Sequence, residues 1–143
     1  NGCHHVINYT DKNFVEEVEK IVGKNSIDVV YDGVGIKTFD GSIETLKVRG
    51  MMVAFGNASG YVDTIDVKKH INAKGLFFTR PSIAHYTMTR KELVESAKKV
   101  FDAILSGKFK VEISKRYPLS DAKRAHEELE ARLLTGPAVI IPN

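Results

Sequence analysis

Cysteine is almost missing from this chain. Cys3 is the only one in 143 residues, which excludes an internal disulfide and suits a reducing, cytoplasmic compartment. Metal-ligand spacings are missing as well. There is no CxxC and no HExxH, and His4 and His5 are neighbours whose side chains point to opposite faces if the segment is extended, so no metal site is expected. No GxSxG elbow occurs, no nucleophilic triad emerges, and no catalytic residue can be named. His126 sits among Glu127, Glu128 and Glu130 and reads as a surface residue paired with an acid. Charge of one sign is not concentrated: the net charge is +3 with lysines and arginines scattered among acids, which argues against nucleic acid as a partner. No apolar run approaches the roughly 18 residues of a membrane span, and there is no signal peptide. The phosphate fingerprint G-x-G-x-x-G is missing too.

What is present is enough for a packed core. The chain is 43% hydrophobic and 27% charged, as in a globular protein of one domain. It opens Asn1-Gly2-Cys3 without a methionine and leads at once into apolar residues, which raises the expectation that it starts inside a larger protein. His5-Val6-Ile7-Asn8-Tyr9 reads as a short strand. Thr10 or Asp11 would cap a helix carrying Phe14, Val15, Val18, Ile21 and Val22 at helical spacing, with Gly23 as its stop. Ile27 to Asp32 reads as a second strand, followed by Gly33-Val34-Gly35. A helix from about Thr38 to Val48 precedes an Arg49-Gly50 turn. Strand, helix, strand, helix, strand is the pattern of a parallel α/β sheet.

The most informative run is Gly50-Met51-Met52-Val53-Ala54-Phe55-Gly56-Asn57-Ala58-Ser59-Gly60. An apolar strand breaks off at a glycine loop. Ligands of open parallel sheets bind at the carboxyl ends of strands, where glycine permits close approach. Two such loops side by side, Gly33-Val34-Gly35 and Gly56 to Gly60, would form a crevice for a flat, phosphate-bearing ligand.

Further on, a short helix is expected over 66–71 and a strand at Gly75-Leu76-Phe77-Phe78-Thr79, stopped by Arg80-Pro81. Thr89 and Glu92 form a capping box, and Leu93, Ala97, Val100, Phe101, Ile104 and Leu105 would make the helix's buried face before Gly107 ends it. A strand over 109–117, a helix capped by Ser120 and running to Leu133 or Leu134, and a strand over 138–142 complete the expectations.

The ordered set Val6-Ile7-Asn8-Tyr9, Val29-Val30-Tyr31-Asp32-Gly33-Val34-Gly35, Phe55-Gly56-Asn57-Ala58-Ser59-Gly60, Thr79-Arg80-Pro81-Ser82, Tyr117-Pro118-Leu119 and Ala125-His126 resembles the carboxyl-terminal half of the NADPH-dependent quinone oxidoreductases. These form the zeta-crystallin-like, zinc-independent branch of the medium-chain dehydrogenase/reductases. The resemblance implies a partial Rossmann fold, strands three to six of a doubly wound parallel sheet, over residues 1–108. Residues 109–143 would return to a GroES-like catalytic domain. It implies NADPH as cofactor, a quinone or small carbonyl compound as substrate, and a homodimer through the strand Gly75-Leu76-Phe77-Phe78-Thr79. Tyr9 would lie near the adenosine end of the cofactor, with Gly33 and Val34 along the cleft. Phe55, Gly56 and Asn57 would flank the nicotinamide half, Phe78 and Thr79 the edge of the site, and Arg132 would contact the cofactor. The first two Rossmann strands and the phosphate loop would precede Asn1, so the 143 residues alone would bind NADPH poorly and turn over nothing. A non-catalytic crystallin-like relative and a zinc-free 2-enoyl reductase are the alternatives.

Overall fold

The protein is seen in a computed structural model that describes residues 2–142. The chain divides into two compact units, one ending at Tyr86 and the other beginning at Thr87.

The first unit is a three-stranded parallel sheet with helical crossovers. Its elements are α1 (Phe14–Val22), β1 (Ile27–Asp32), α2 (Phe39–Thr45), β2 (Leu46–Ala54), a π-helical turn (Val67–Asn72), β3 (Phe77–Thr79) and α3 (Ile83–Tyr86). The spatial order is β1-β2-β3 with both pairs parallel, the order of successive crossover units. α1 begins as its amphipathic pattern requires, but its cap is Asn13, whose side chain accepts from the Val15 N–H at 3.1 Å, not Thr10 or Asp11. Gly23, at φ 89°, stops it.

α2 is shorter than its pattern suggests. It ends at Thr45 because Leu46, fully buried, already belongs to β2. The Lys74 ammonium holds the chain at this point, donating to the carbonyls of Ile43, Glu44 and Leu46 at 3.3, 2.7 and 2.7 Å and to Asn25 Oδ1 at 2.7 Å. A cation is favourable at a helix C-terminus, and burial here pushes the Lys74 ammonium below its ordinary pKa. The Arg49-Gly50 turn is a bulge inside β2: Ile27 pairs with Leu46 but Val29 pairs with Met51, and Arg49 has φ 62°.

Residues 5–9 are not a strand. Among the described residues no strand pairs with them, and Val6 is 86% exposed. An isolated extended segment has no ladder to satisfy its backbone groups. The core of the unit lies between α2 and the sheet, where Phe39, Ile43, Leu46, Met52, Ala54 and Leu76 pack together with Ile65, Ile71 and Phe78 against them.

The second unit contains α4 (Arg90–Leu105), β4 (Lys115–Pro118), a 3₁₀ turn (Leu119–Asp121), α5 (Ala122–Glu130) and β5 (Ala138–Ile141). Thr89 and Glu92 form the complete capping box. The apolar face of α4 is not buried: none of its residues is, and Phe101 and Leu105 are 62% and 84% exposed. β4 covers only the end of the strand expected from Phe109, and pairs in parallel with β5. Ser120 lies inside the 3₁₀ turn and makes no side-chain cap for α5, which stops at Glu130. Buried Tyr117 organises this unit. Its hydroxyl donates to Glu128 at 2.6 Å, while Lys115 and Arg124 lie over its ring at 5.1 and 5.6 Å. Hydrogen bonds from Lys115 and Tyr117 hold the Glu128 carboxyl below its ordinary range. Among the described residues no helix is long and apolar enough to cross a membrane.

Candidate functional site

The register of the sheet decides where the glycine loops lie. Asp32 pairs with Ala54, so β1 and β2 end level, and Val53 pairs with Thr79 at the end of β3. All three strands therefore open on one edge, the ligand edge of a parallel sheet.

At that edge the two loops are hydrogen-bonded to one another. The N–H groups of Phe55 and Gly56 donate to the Asp32 carbonyl at 2.9 and 3.2 Å, and Ser59 N–H donates to the Val34 carbonyl at 2.7 Å. The Ser59 hydroxyl donates to the same carbonyl at 2.8 Å and accepts from Lys37 N–H at 3.1 Å. Contact is so close that a Cβ on Gly56 would lie 2.3 Å from the Gly33 carbonyl oxygen, and one on Gly35 would lie 2.4 Å from that of Gly60. Only glycine is accommodated at these two positions. The Phe55 ring lies against Gly33, whose added Cβ would be 3.0 Å from Cζ.

Beside this clasp is a cleft of about 250 Å³ lined by Ile7, Tyr9, Phe14, Tyr31, Asp32, Gly33, Val34, Thr38 and Ser42. It brings Tyr9, Gly33 and Val34 together. A smaller cavity of about 80 Å³ is shared by Asp32, Gly35, Gly56, Phe78 and Arg80 with the core residues Phe39 and Met52. Phe55 is exposed, and Asn57 is half-buried with its carbonyl accepting from Gly60 N–H at 3.0 Å. Phe78 turns its ring edge-on to Phe39, with centroids 6.2 Å apart, while Thr79 is exposed at the end of β3. Arg132 belongs to the second unit, one residue past the C-cap of α5, with φ 57° and its N–H on the Leu129 carbonyl at 3.1 Å. His126 is exposed, as its surroundings suggest, but among the described residues it has no acid at ion-pair distance. It lines an apolar groove with Tyr117, Leu129 and Ile140.

Two side chains at this edge were passed over in the sequence. Asp32 is buried and accepts four hydrogen bonds, from Val34 N–H, Gly35 N–H and the hydroxyls of Thr38 and Ser42. Burial pushes its carboxyl up, but those hydrogen bonds, Gly35 foremost, outweigh it and hold the group below its ordinary value. Arg80 donates to the Ala54 carbonyl at 3.2 Å and lies over the Tyr61 ring at 5.6 Å. The sequence signal for Asp32 was an Asp at a strand end followed by two turn amides, an Asx-turn pattern. Arg80 had none.

Comparison with known proteins places this arrangement in context. The family model for zinc-binding dehydrogenases matches residues 1–140. The quinone oxidoreductase of Salmonella typhimurium is 45% identical over 144 residues, covering 99% of this chain and 44% of that protein. The 2-haloacrylate reductase of a Burkholderia species is 41% identical over 142 residues, covering 99% and 43%. Among solved structures, the Escherichia coli quinone oxidoreductase complexed with NADPH superposes with a TM-score of 0.91 at 43% identity, covering 99% of this chain and 44% of that one. The chain thus spans less than half the length of these relatives. Among the described residues no group of three or more His, Cys, Asp or Glu side chains could hold a metal ion.

Proposed function

The chain belongs to the zinc-binding dehydrogenase family, and on that premise we propose that it forms part of an NADPH-dependent quinone oxidoreductase. In this reading residues 1–108 are a partial dinucleotide-binding domain and residues 109–143 rejoin a catalytic domain. The observation that carries the reading is the clasp of two glycine loops at the carboxyl edge of a parallel sheet, beside a cleft walled by Gly33 and Val34. The cleft is smaller than the roughly 300 Å³ at which small-molecule pockets usually begin, so it suits only a portion of a dinucleotide.

NADPH, when bound, supplies a hydride to a quinone or a related electron-poor carbonyl compound. The protein's share is to bind and orient. Tyr9 serves the adenosine end, and Gly33 and Val34 line the cleft. Phe55, Gly56 and Asn57 form the nicotinamide side, with Phe78 and Thr79 at its edge, and the family resemblance gives Arg132 a contact with the cofactor. The hydrogen-bonded loops keep this wall rigid, which limits the ordering needed on binding. Cytoplasmic location accords with one exposed, unpaired cysteine. Homodimer formation through β3 accords with an outer edge that no strand pairs among the described residues and with Phe77, which is 58% exposed.

The 41% identical 2-haloacrylate reductase favours a second reading, reduction of an electron-poor alkene acid. The test is NADPH oxidation by the full-length gene product, offered a p-benzoquinone or 2-chloroacrylate at equal concentration. Faster oxidation with the quinone supports the first reading and faster oxidation with the acrylate the second. No oxidation with either defeats both and leaves the non-catalytic relative.

A further inference from the structure

We propose that Asp32 is a positioning residue of the cofactor cleft, fixing both glycine loops while offering the cofactor no free acceptor. The inference rests on the reading above. Oδ1 accepts from Val34 N–H at 2.8 Å and Gly35 N–H at 3.0 Å, and Oδ2 from the Thr38 and Ser42 hydroxyls at 2.8 and 2.9 Å. These four bonds fill the lone-pair sites of a carboxylate, so no acceptor remains for a ligand or for a proton in transfer. Asp32 is 5% exposed, and among the described residues no Lys, Arg or His pairs with it.

The same residue holds the second loop through its backbone, since its carbonyl accepts from Phe55 and Gly56. The side chain sets the Gly33–Gly35 turn, the main chain anchors the start of the Phe55–Asn57 loop, and Asp32 lines both cavities at the edge. A buried charge with no cation is an expensive filler. Its use here is that one small group can take four donors arriving from two directions. Asn has the same shape, and its amide can accept from the turn N–H groups while donating to the two hydroxyls, which are able to accept.

The test uses the full-length gene product with three substitutions. Asp32→Ala is expected to raise KM for NADPH about tenfold or more with kcat within about threefold, the signature of weakened binding and not of lost chemistry. Asp32→Asn is expected to restore KM to within about threefold of wild type, and Ser42→Ala, which removes one donor, to raise it about threefold. Amide hydrogen exchange at Val34 and Gly35, whose acceptor the change removes, is expected to accelerate in Asp32→Ala. A folded Asp32→Ala protein with wild-type KM overturns the proposal, as does Asp32→Asn failing as badly as Ala. If Asp32→Ala does not fold, an unchanged KM in Ser42→Ala overturns it. Absence of any NADPH-dependent signal in the wild type defeats the functional reading instead. In that case unchanged exchange at Val34 and Gly35 in Asp32→Ala separately overturns the clamp.

Discussion

Gly56 is the residue at which side-chain volume is least tolerated. Its missing Cβ leaves room for the Gly33 carbonyl, which would otherwise lie at 2.3 Å, and backbone cannot swing away as a side chain can. Gly56→Ala is therefore expected to cost about 2 kcal/mol or more in urea unfolding. Gly136→Ala, whose Cβ would meet only Ser114 at 3.4 Å, is expected to stay within about 0.5 kcal/mol. Equal costs would contradict the close approach. Asp32 gives a pH dependence with a definite sign. Its carboxyl sits below its ordinary value when folded and returns to about 3.9 when unfolded, so the folded state binds fewer protons. The stability it contributes is complete above about pH 4 and is lost as pH falls through the folded value. Asp32→Asn should flatten the acid limb of the stability profile below about pH 4, and an unaltered limb would contradict the account. The glycines were legible because a glycine after an apolar run has few other uses. Asp32 was not, because nothing in the sequence says that Thr38 and Ser42, six and ten residues on, turn their hydroxyls back to it.

Elements were legible where the signal was local and not where it depended on a neighbour. The start of α4 could be read because Thr89 and Glu92 satisfy each other's backbone donors within one turn. Thr89→Ala should cost about 1 kcal/mol in thermal unfolding, and no change would contradict the cap's role. What covers the apolar face of α4 could not be read, since periodicity says which residues share a face and nothing about what lies opposite. The same limit explains residues 5–9, apolar enough for a strand but without a partner among the described residues. It explains α2 as well, where the demand of Leu46 for the core ends the helix early and Lys74, far along the chain, holds the exposed carbonyls. Lys74→Met should destabilise the protein by about 1–3 kcal/mol, as expected when hydrogen bonds from a charged donor are lost. A stability unchanged within error would show those contacts to be idle.

At the scale of the molecule, the order β1-β2-β3 leaves the outer edges of β1 and β3 without a partner strand among the described residues. The parallel order itself was legible from the alternation of strand and helix, whereas the chain's division at Tyr86 was not, because no Gly- or Pro-rich linker marks it. If β3 pairs with its copy in a second molecule, Phe77→Pro, which removes a ladder donor, should convert a dimer to a monomer in light scattering. A dimer that survives the change would place the interface elsewhere. If the clasped loops are one wall of an NADPH site, a fluorescence titration of the full-length gene product with NADPH should show saturable binding below about 1 mM, the upper end of ordinary enzyme KM values, and Gly56→Val should abolish it. No saturation at millimolar cofactor, or undiminished binding in a folded Gly56→Val protein, would contradict that role of the loops.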